Sequence, residues 1–305
     1  MDNKRIILWS RERLRRIPVL YWIYRFYVKE KRLLYLNPAH LNWRKAHSGL
    51  KSKPILHYLE MHLATHCNIR CKGCSQFSPV ADMWFADISI HERDMKKLNE
   101  LFSNIETIRL VGGEPLLHPE IEAFLVITRK YFKKANICIA TNGTLLNSMS
   151  NSFWETCRVN HIKINWSMYP PYFNFKNKIV QNVESNGVII SAKKVEKFRS
   201  ILNLRGDSDR EKAFRFCRAL YFAPFLRDGK IYLCSRPVSI STFNNKFGTS
   251  IPKGGYFDIN EPEISGWDVL LSISKSSEIC NYCATTLFEF EWAESSSKSG
   301  EWDAI

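Results

Sequence analysis

From residue 55 onward the chain alternates between two hydrophobic patterns. Short apolar runs predict buried strands at residues 55–63, 107–111, 137–140, 162–167 and 188–191. Between and after them, apolar positions recur at helical spacing and predict helices near residues 89–102, 119–132, 145–157, 176–185 and 193–204. A capping-box match, Ser89 with Glu92, opens the first helix. This alternation predicts an α/β fold with parallel strands and functional groups at the strands' carboxyl ends.

The two ends of the chain depart from this pattern. Residues 1–35 hold ten Lys and Arg against three Asp and Glu, and so supply half of the net charge of +14. A basic, aromatic, amphipathic segment of this kind has three interpretations. It can lie on an anionic membrane surface, it can pack on the rest of the fold as a helix with a solvated basic face, or it can bind nucleic acid. Residues 36–54 are predicted to be a connector. Residues 289–305, with their serine run and alternating acids, are predicted to form a flexible, solvated tail.

The composition favours a reducing compartment. No apolar run approaches the roughly 20 residues that span a bilayer, and no small-residue cleavage site indicates a signal peptide. Nine cysteines, several at ligand-like spacing, indicate metal binding in preference to disulfides. We therefore expect a cytoplasmic protein, with peripheral membrane contact through residues 1–35 left open.

Three cysteines with C-x3-C-x2-C spacing follow the first predicted strand: Cys67, Cys71 and Cys74. Thiolates are soft ligands for iron–sulfur clusters and zinc. Three of them on one loop can bind three irons of a four-iron cube, which leaves the fourth iron open to a small molecule. The alternatives are a zinc loop without its fourth ligand and three unrelated buried cysteines. Zinc loops usually combine C-x2-C or C-x4-C pairs, so this spacing suits zinc poorly.

A second motif, Gly112-Gly113-Glu114-Pro115, closes the strand predicted at residues 107–111. Together the two motifs resemble the signature of the radical S-adenosylmethionine (SAM) superfamily. The resemblance implies a partial (β/α)6 barrel over about residues 55–220 and a [4Fe–4S] cluster on the three cysteines. It also implies that this glycine-rich segment binds the methionine part of SAM.

Three further positions bear on the SAM site. Ser167 matches, in position, a family residue near the ribose or carboxylate of SAM, although a serine after a strand is commonly a cap. Asn142 follows the third strand in an Asn-Gly pair, which is first of all a turn. The family often has an aromatic residue before the third cysteine, where this chain has Gly73, so we expect another part of the chain to pack against the adenine.

Four more cysteines, the second cysteine set, lie further along the chain: Cys217, Cys234, Cys280 and Cys283. Asp228-Gly229 joins two apolar runs before Cys234 and predicts a β-hairpin. The layout resembles the twitch or SPASM-like auxiliary domains of radical SAM enzymes and implies a second [4Fe–4S] cluster. A structural zinc site on the same thiolates is the alternative. The remaining cysteines, Cys138 and Cys157, are expected in the core.

The resemblance implies an oxidoreductase with a radical SAM core at residues 55–216 and a small hairpin-and-helix auxiliary domain at 217–288. Such an enzyme reductively cleaves SAM with electrons from flavodoxin or ferredoxin, and the 5′-deoxyadenosyl radical removes a substrate hydrogen. The second cysteine set is similar to that of the 2-deoxy-scyllo-inosamine dehydrogenase group, which favours oxidation or epimerisation of a carbohydrate or cyclitol. A peptide-modifying maturase and a non-enzymatic iron–sulfur electron carrier remain alternatives.

Overall fold

The structure, a computed structural model, describes residues 37–49, 52–220 and 223–304 together with Val19. The basic segment at residues 1–35 lies outside the described residues except for Val19, so its membrane and packing alternatives stay predictions. Within the part of the chain that is described, no helix has the length and apolar character needed to cross a bilayer.

An eight-stranded sheet forms the centre of the fold. Its strands are β2 (Leu59–Ala64), β4 (Thr107–Gly112), β5 (Asn136–Thr141), β6 (Lys163–Met168), β7 (Ile189–Lys194), β9 (Phe225–Arg227), β10 (Lys230–Tyr232) and β11 (Tyr256–Asp258). Strands β2, β4, β5, β6 and β7 are parallel, and β9 lies parallel to β2 on its other side. Strands β9, β10 and β11 form an antiparallel extension.

Two smaller ladders flank this sheet. Strand β1 (Ile55–Leu56) pairs in parallel with β3 (Asn104–Ile105). Strand β8 (Lys197–Leu202) pairs antiparallel with β12 (Cys283–Glu291), which brings the last part of the chain back against residues that follow the parallel sheet.

Eight helices of the described chain connect and cover the strands. They are α1 (Pro38–His47), α2 (Ile88–Leu101), α3 (Ile121–Tyr131), α4 (Asn151–Val159), α5 (Lys176–Ser185), α6 (Arg210–Leu220), α7 (Arg236–Phe247) and α8 (Gly266–Ser272). Helices α2 to α5 each lie between successive strands of the parallel sheet, which is the arrangement that right-handed β-α-β crossovers produce. The predicted α/β fold class, a partial radical SAM-type barrel, is confirmed.

Alternation along the strands separates two environments. In β6, Ile164, Trp166 and Met168 are buried in the main hydrophobic core together with residues of the covering helices. The intervening residues of β6, Asn165 and Ser167, are only half-buried. Side chains in a strand alternate between the two faces of the sheet, so these residues face the concave interior. The concave face is therefore where polar groups are available for chemistry.

Two local predictions need correction. Helix α2 begins at Ile88, and its N-cap is Asp87, whose carboxylate accepts hydrogen bonds from the backbone N–H groups of Ser89 and Ile90. The Ser89 hydroxyl donates to that carboxylate and caps nothing itself. The connector predicted at residues 36–54 contains helix α1, which is capped by the side chain of Asn37.

The helix predicted at residues 193–204 is wrong, because this segment forms the end of β7 and then β8. Strand β8 exists through its pairing with β12, more than eighty residues later. The flexible tail predicted at residues 289–305 is also wrong. Strand β12 continues to Glu291, and Trp302 is fully buried.

The N-cap can be tested by substitution. Asp87→Ala should clearly lower the midpoint of thermal unfolding, because two N–H groups at the start of α2 lose their acceptor. Ser89→Ala should change it much less. Circular dichroism of the two metal-free variants gives the comparison, and equal destabilisation by both would contradict this assignment.

Candidate functional site

The cysteine loop, residues 65–77, leaves the carboxyl end of β2. Cys71 is buried, and Cys67 and Cys74 are half-buried. Burial, together with the neighbouring thiols of the same loop, raises the pKa of Cys67 and of Cys71 to about 12. Since Cys67 and Cys71 are protonated at neutral pH when empty, a bound metal must displace their protons.

The C-terminal strap, residues 290–304, lies against the cysteine loop. Lys72 N–H donates to Ala293 O at 2.9 Å, and Ser295 N–H donates to Arg70 O at 2.7 Å. The Trp302 indole N–H donates to the carbonyl of Cys74 at 2.7 Å. Sequence reasoning missed this contact, because the strap is polar and lies about 220 residues from the loop. Only its tryptophans signal a buried segment.

The two glycines of the Gly-Gly-Glu-Pro motif allow two chain segments to approach. Gly113 N–H donates to Ala64 O at 2.8 Å. A Cβ atom at Gly113 would lie 2.1 Å from the carbonyl oxygen of His66, and one at Gly112 would lie 2.3 Å from that of Ala64. No side chain fits at either position. The motif therefore holds the end of β4 against the start of the cysteine loop.

The Glu114 carboxylate is fully buried and joins separate strand ends. It accepts hydrogen bonds from Leu116 N–H at 3.0 Å, from the Thr141 hydroxyl at 2.8 Å and from Asn142 N–H at 2.8 Å. Burial raises the pKa of Glu114 to about 7, although these donors oppose the rise. Glu114 and the buried Pro115 have no exposed surface for a ligand in this structure. The methionine contact expected from the motif therefore falls to the backbone of Gly112 and Gly113, and it stays a prediction.

Asn142 lies directly against the cysteine loop. Its Nδ2 donates to Asn68 Oδ1 at 2.8 Å and to Cys67 Sγ at 3.5 Å, while its Oδ1 accepts from Thr144 N–H at 2.9 Å. The Trp166 indole N–H donates to Asn142 O at 2.8 Å and so fixes the Asn142-Gly143 turn. Ser167 lies on the concave face of β6, half-buried, so its contact with SAM stays a prediction.

Tyr169 is a residue of this site that sequence reasoning missed. Burial raises its pKa, and the charges of all three cysteines of the loop add to the rise. Its ring lies 6.5 Å from that of Trp292 in a stacked arrangement. Its position just after a strand of the parallel sheet was the available signal.

His62 is a second missed residue, on the concave face of β2. It is 4% exposed, and neither ring nitrogen has a hydrogen-bond partner among the described residues. Its ring lies between Trp84, at 5.7 Å, and Phe225, at 5.5 Å. The Arg227 guanidinium stacks 3.8 Å over the Trp84 ring. Burial, followed by Arg227, lowers the pKa of His62 to about 3, so the imidazole is neutral.

The second cysteine set converges from three segments. Cys217 lies on α6, Cys234 follows β10, Cys280 lies in a short 3-10 turn at Glu278–Tyr282, and Cys283 begins β12. The hairpin predicted at Asp228-Gly229 is confirmed: both residues have positive φ and connect β9 to β10. Burial, together with other thiols of the set, raises the pKa of Cys234 to about 12 and of Cys280 to about 11. Cys138 and Cys157 are buried, as expected.

A half-buried arginine, whose Nε is buried, lies among these four thiols. Arg236 donates to Cys283 Sγ at 3.2 Å, and its Nε has no hydrogen-bond partner among the described residues. Burial lowers the pKa of Arg236, but the four cysteines outweigh this effect and raise it. A buried cation needs a negative counterpart. The site therefore favours an occupant that keeps the thiols ionised.

Neither cysteine group is arranged around a single ion. In residues 37–49, 52–220 and 223–304, no three His, Cys, Asp or Glu side chains are placed to hold one metal ion. A four-iron cube presents a different iron to each thiolate, so its ligands need not meet at one point. All nine cysteines are also free of disulfides.

Comparison with known proteins agrees with the site's location. The sequence model of the radical SAM superfamily matches residues 61–204, which include the cysteine loop and the Gly-Gly-Glu-Pro motif. These residues form a radical SAM domain. Proteins of this superfamily hold a [4Fe–4S] cluster and SAM, so the domain implies both cofactors, and the three closely placed thiols of the cysteine loop fit the cluster.

Curated relatives match about a third of this chain. The chain is 28% identical over 93 residues to GTP 3′,8-cyclase of Campylobacter fetus subsp. fetus (strain 82-40), covering 30% of this chain and 29% of that protein. It is 30% identical over 100 residues to GTP 3′,8-cyclase of Chlorobaculum tepidum, covering 32% and 29%. The chain thus spans less than a third of the length of these relatives.

Solved structures to which this chain is similar include BtrN in complex with AdoMet and 2-DOIA. That chain is 14% identical with a TM-score of 0.46, and the match covers 78% of this protein and all of BtrN. Streptococcus suis SuiB bound to S-adenosylmethionine is 18% identical with a TM-score of 0.39, covering 50% and 36%.

The buried carboxylate of the radical SAM domain gives a stability test. Glu114→Gln should lower the free energy of unfolding by about 1–3 kcal/mol, because the amide NH2 must face one of the three donors. Between pH 4.5 and about 7 the unfolded chain releases the Glu114 proton first, so wild-type stability falls as pH rises. The advantage of the wild type should therefore be larger at pH 5 than at pH 8.

Urea unfolding of the metal-free protein measures both effects. Glu122→Gln is the matched control, because Glu122 accepts hydrogen bonds from serine hydroxyls that can rotate. An equal loss in both variants, or no difference between the two pH values, would disprove the role given to Glu114.

Proposed function

We propose that the protein is a radical SAM oxidoreductase that oxidises a C–H beside oxygen on a small carbohydrate or cyclitol. When bound, the cluster supplies the electron that cleaves SAM, and the 5′-deoxyadenosyl radical so formed removes a hydrogen atom from the substrate. Cys67, Cys71 and Cys74 are the proposed cluster ligands. The backbone of Gly112 and Gly113, with Ser167 and Asn142 nearby, is the proposed SAM contact.

One observation carries the oxidative part of the proposal: four thiols lie around the half-buried Arg236. Removing a hydrogen atom from an alcohol carbon leaves one electron and one proton to be taken up before a carbonyl forms. We propose that a cluster on the second cysteine set accepts this electron within the same chain. A cube with four protein ligands has no open iron for a substrate, which suits electron transfer. We therefore propose a twitch-like auxiliary [4Fe–4S] cluster on these cysteines.

The concave face supports a small polar substrate. Three aromatic or planar groups, Trp84, Phe225 and Arg227, enclose His62, whose two nitrogens are free to bond a ligand. Small-molecule sites combine apolar walls with a few well-placed polar groups. A neutral imidazole both donates and accepts a hydrogen bond, which matches a hydroxyl. We propose that His62 contacts a substrate hydroxyl.

Epimerisation is the second candidate function, and Cys138 is the observation that favours it. Its thiol accepts a hydrogen bond from Asn165 at 3.1 Å on the concave side, where a hydrogen-atom donor would be needed. Peptide modification and simple electron transfer lack a comparable feature. Flavodoxin or ferredoxin is the proposed reductant, in a cytoplasmic setting.

Metal content and product mass test the proposal together. Anaerobically reconstituted protein should hold about eight irons, and Cys67→Ala/Cys71→Ala/Cys74→Ala should retain about half of them without cleaving SAM. With candidate sugars and cyclitols, each turnover should yield one 5′-deoxyadenosine and a product two hydrogens lighter. Deuterium at the reacting carbon should appear in 5′-deoxyadenosine.

Other outcomes separate the alternatives. Zinc on the second cysteine set would disprove the auxiliary cluster. A product of unchanged mass would favour epimerisation, and a mass change on a peptide would favour a maturase. If Cys280→Ala forms product at the wild-type rate, the second cysteine set is not the electron acceptor.

His62 provides a separate test of the substrate site. His62→Gln should leave SAM cleavage intact but reduce product formed per 5′-deoxyadenosine by about tenfold, the effect of losing roughly 1.4 kcal/mol of substrate contact. His91→Gln is the matched control, because His91 is equally buried but bonds to Thr128 in the helical core. Chromatography of both products gives the ratio. A similar loss in the two variants would show that His62 acts only through stability.

A further inference from the structure

The C-terminal strap pairs with the cysteine loop over several residues. Cys71 and Glu294 form an antiparallel bridge, with backbone hydrogen bonds on either side of it. Gly73 permits this approach, because a Cβ atom there would lie 2.6 Å from the ring of Phe290. Phe290 thus fills the space that a side chain at position 73 would take. Loop and strap are therefore complementary in shape.

One strap side chain reaches a ligand sulfur. The indole N–H of Trp292 donates to Cys71 Sγ at 3.1 Å. Two contacts hold Trp292 in place: its backbone N–H donates to Glu196 O at 2.7 Å, and its ring lies 6.5 Å from that of half-buried Tyr169 in a stacked arrangement. The donor is thus positioned independently of the cysteine it meets.

The other tryptophan of the strap provides a contrast. Trp302 also donates its indole N–H to the cysteine loop, but the acceptor is the backbone carbonyl of Cys74. Its ring packs among Phe77, Phe243 and Phe247 in a separate hydrophobic cluster. Trp302 therefore anchors the strap without touching a sulfur.

A hydrogen bond to a thiolate becomes stronger as negative charge on the sulfur increases. Reduction adds an electron to a cluster, so such a bond stabilises the reduced form more than the oxidised form. Hydrogen bonds to the sulfurs are among the features that set the reduction potential of iron–sulfur clusters. We propose that Trp292 is a positioning residue that raises the reduction potential of the cluster bound by the cysteine loop, through its N–H bond to Cys71.

This inference rests on the cluster ligands assigned under the proposed function, and it is independent of the substrate. A higher potential makes the cluster easier to reduce by a protein donor. The reduction potential of this cluster would then depend on the C-terminal strap, residues 290–304.

Trp292→Phe tests the inference by removing the N–H while keeping an aromatic ring. In potentiometric titrations of the reconstituted protein without SAM, its cysteine-loop cluster should have a midpoint potential about 59 mV lower, which equals a tenfold change in the ratio of reduced to oxidised cluster. Electron paramagnetic resonance follows the reduced cluster. The Cys67→Ala/Cys71→Ala/Cys74→Ala protein identifies the signal of any second cluster, which should not move.

Trp302→Phe is the matched control. It also removes an indole N–H from the strap, but it should lower thermal stability and leave the potential unchanged. An unchanged potential in Trp292→Phe, an equal shift in Trp302→Phe, or the absence of any cluster on the wild-type loop would overturn the inference. If the potential falls as expected in Trp292→Phe but the wild-type protein forms no oxidised product, the inference stands and the proposed reaction is disproved.

Discussion

The Glu114 carboxylate is the interaction on which the site depends. It lies with no exposed surface where β4 and β5 end, and it accepts hydrogen bonds from the backbone or hydroxyl groups of residues after each strand. Through Asn142 this network continues to the cysteine loop, which follows β2. Three separate strand ends are thereby held in one arrangement. Because a buried carboxylate without donors is costly, each donor must keep its place.

The two cysteine groups differ in the charge of the donors that contact their sulfur atoms. The cysteine loop and the second cysteine set both consist of buried or half-buried thiols. Trp292 donates to a sulfur of the first group at 3.1 Å, and Arg236 donates to a sulfur of the second at 3.2 Å. The two donors differ in charge, since the indole is neutral and the guanidinium is cationic. A buried cation stabilises added negative charge more strongly than a neutral dipole. The two sites therefore stabilise added negative charge to different degrees.

The strap explains why one short motif can depart from its family pattern. The aromatic residue often found before the third cysteine is replaced here by Gly73, and the ring of Phe290 occupies the adjacent space. Trp292 and Tyr169 extend this aromatic surface beside the thiols. An aromatic contribution to the cysteine loop is therefore retained, but it comes from other segments of the chain.

The sequence by itself determined the features that depend on neighbouring residues: the five parallel strands, the Asp228-Gly229 hairpin, and the spacing of Cys67, Cys71 and Cys74. Such features follow from side-chain periodicity, turn geometry and ligand spacing, which a short window contains. Only the tertiary structure decided that residues 197–202 form a strand and that the strap covers the cysteine loop, because both depend on partners that are remote in sequence. It also decided the placement of His62, whose ring nitrogens have no hydrogen-bond partner among the described residues, because burial of a polar group is a property of packing and not of local pattern.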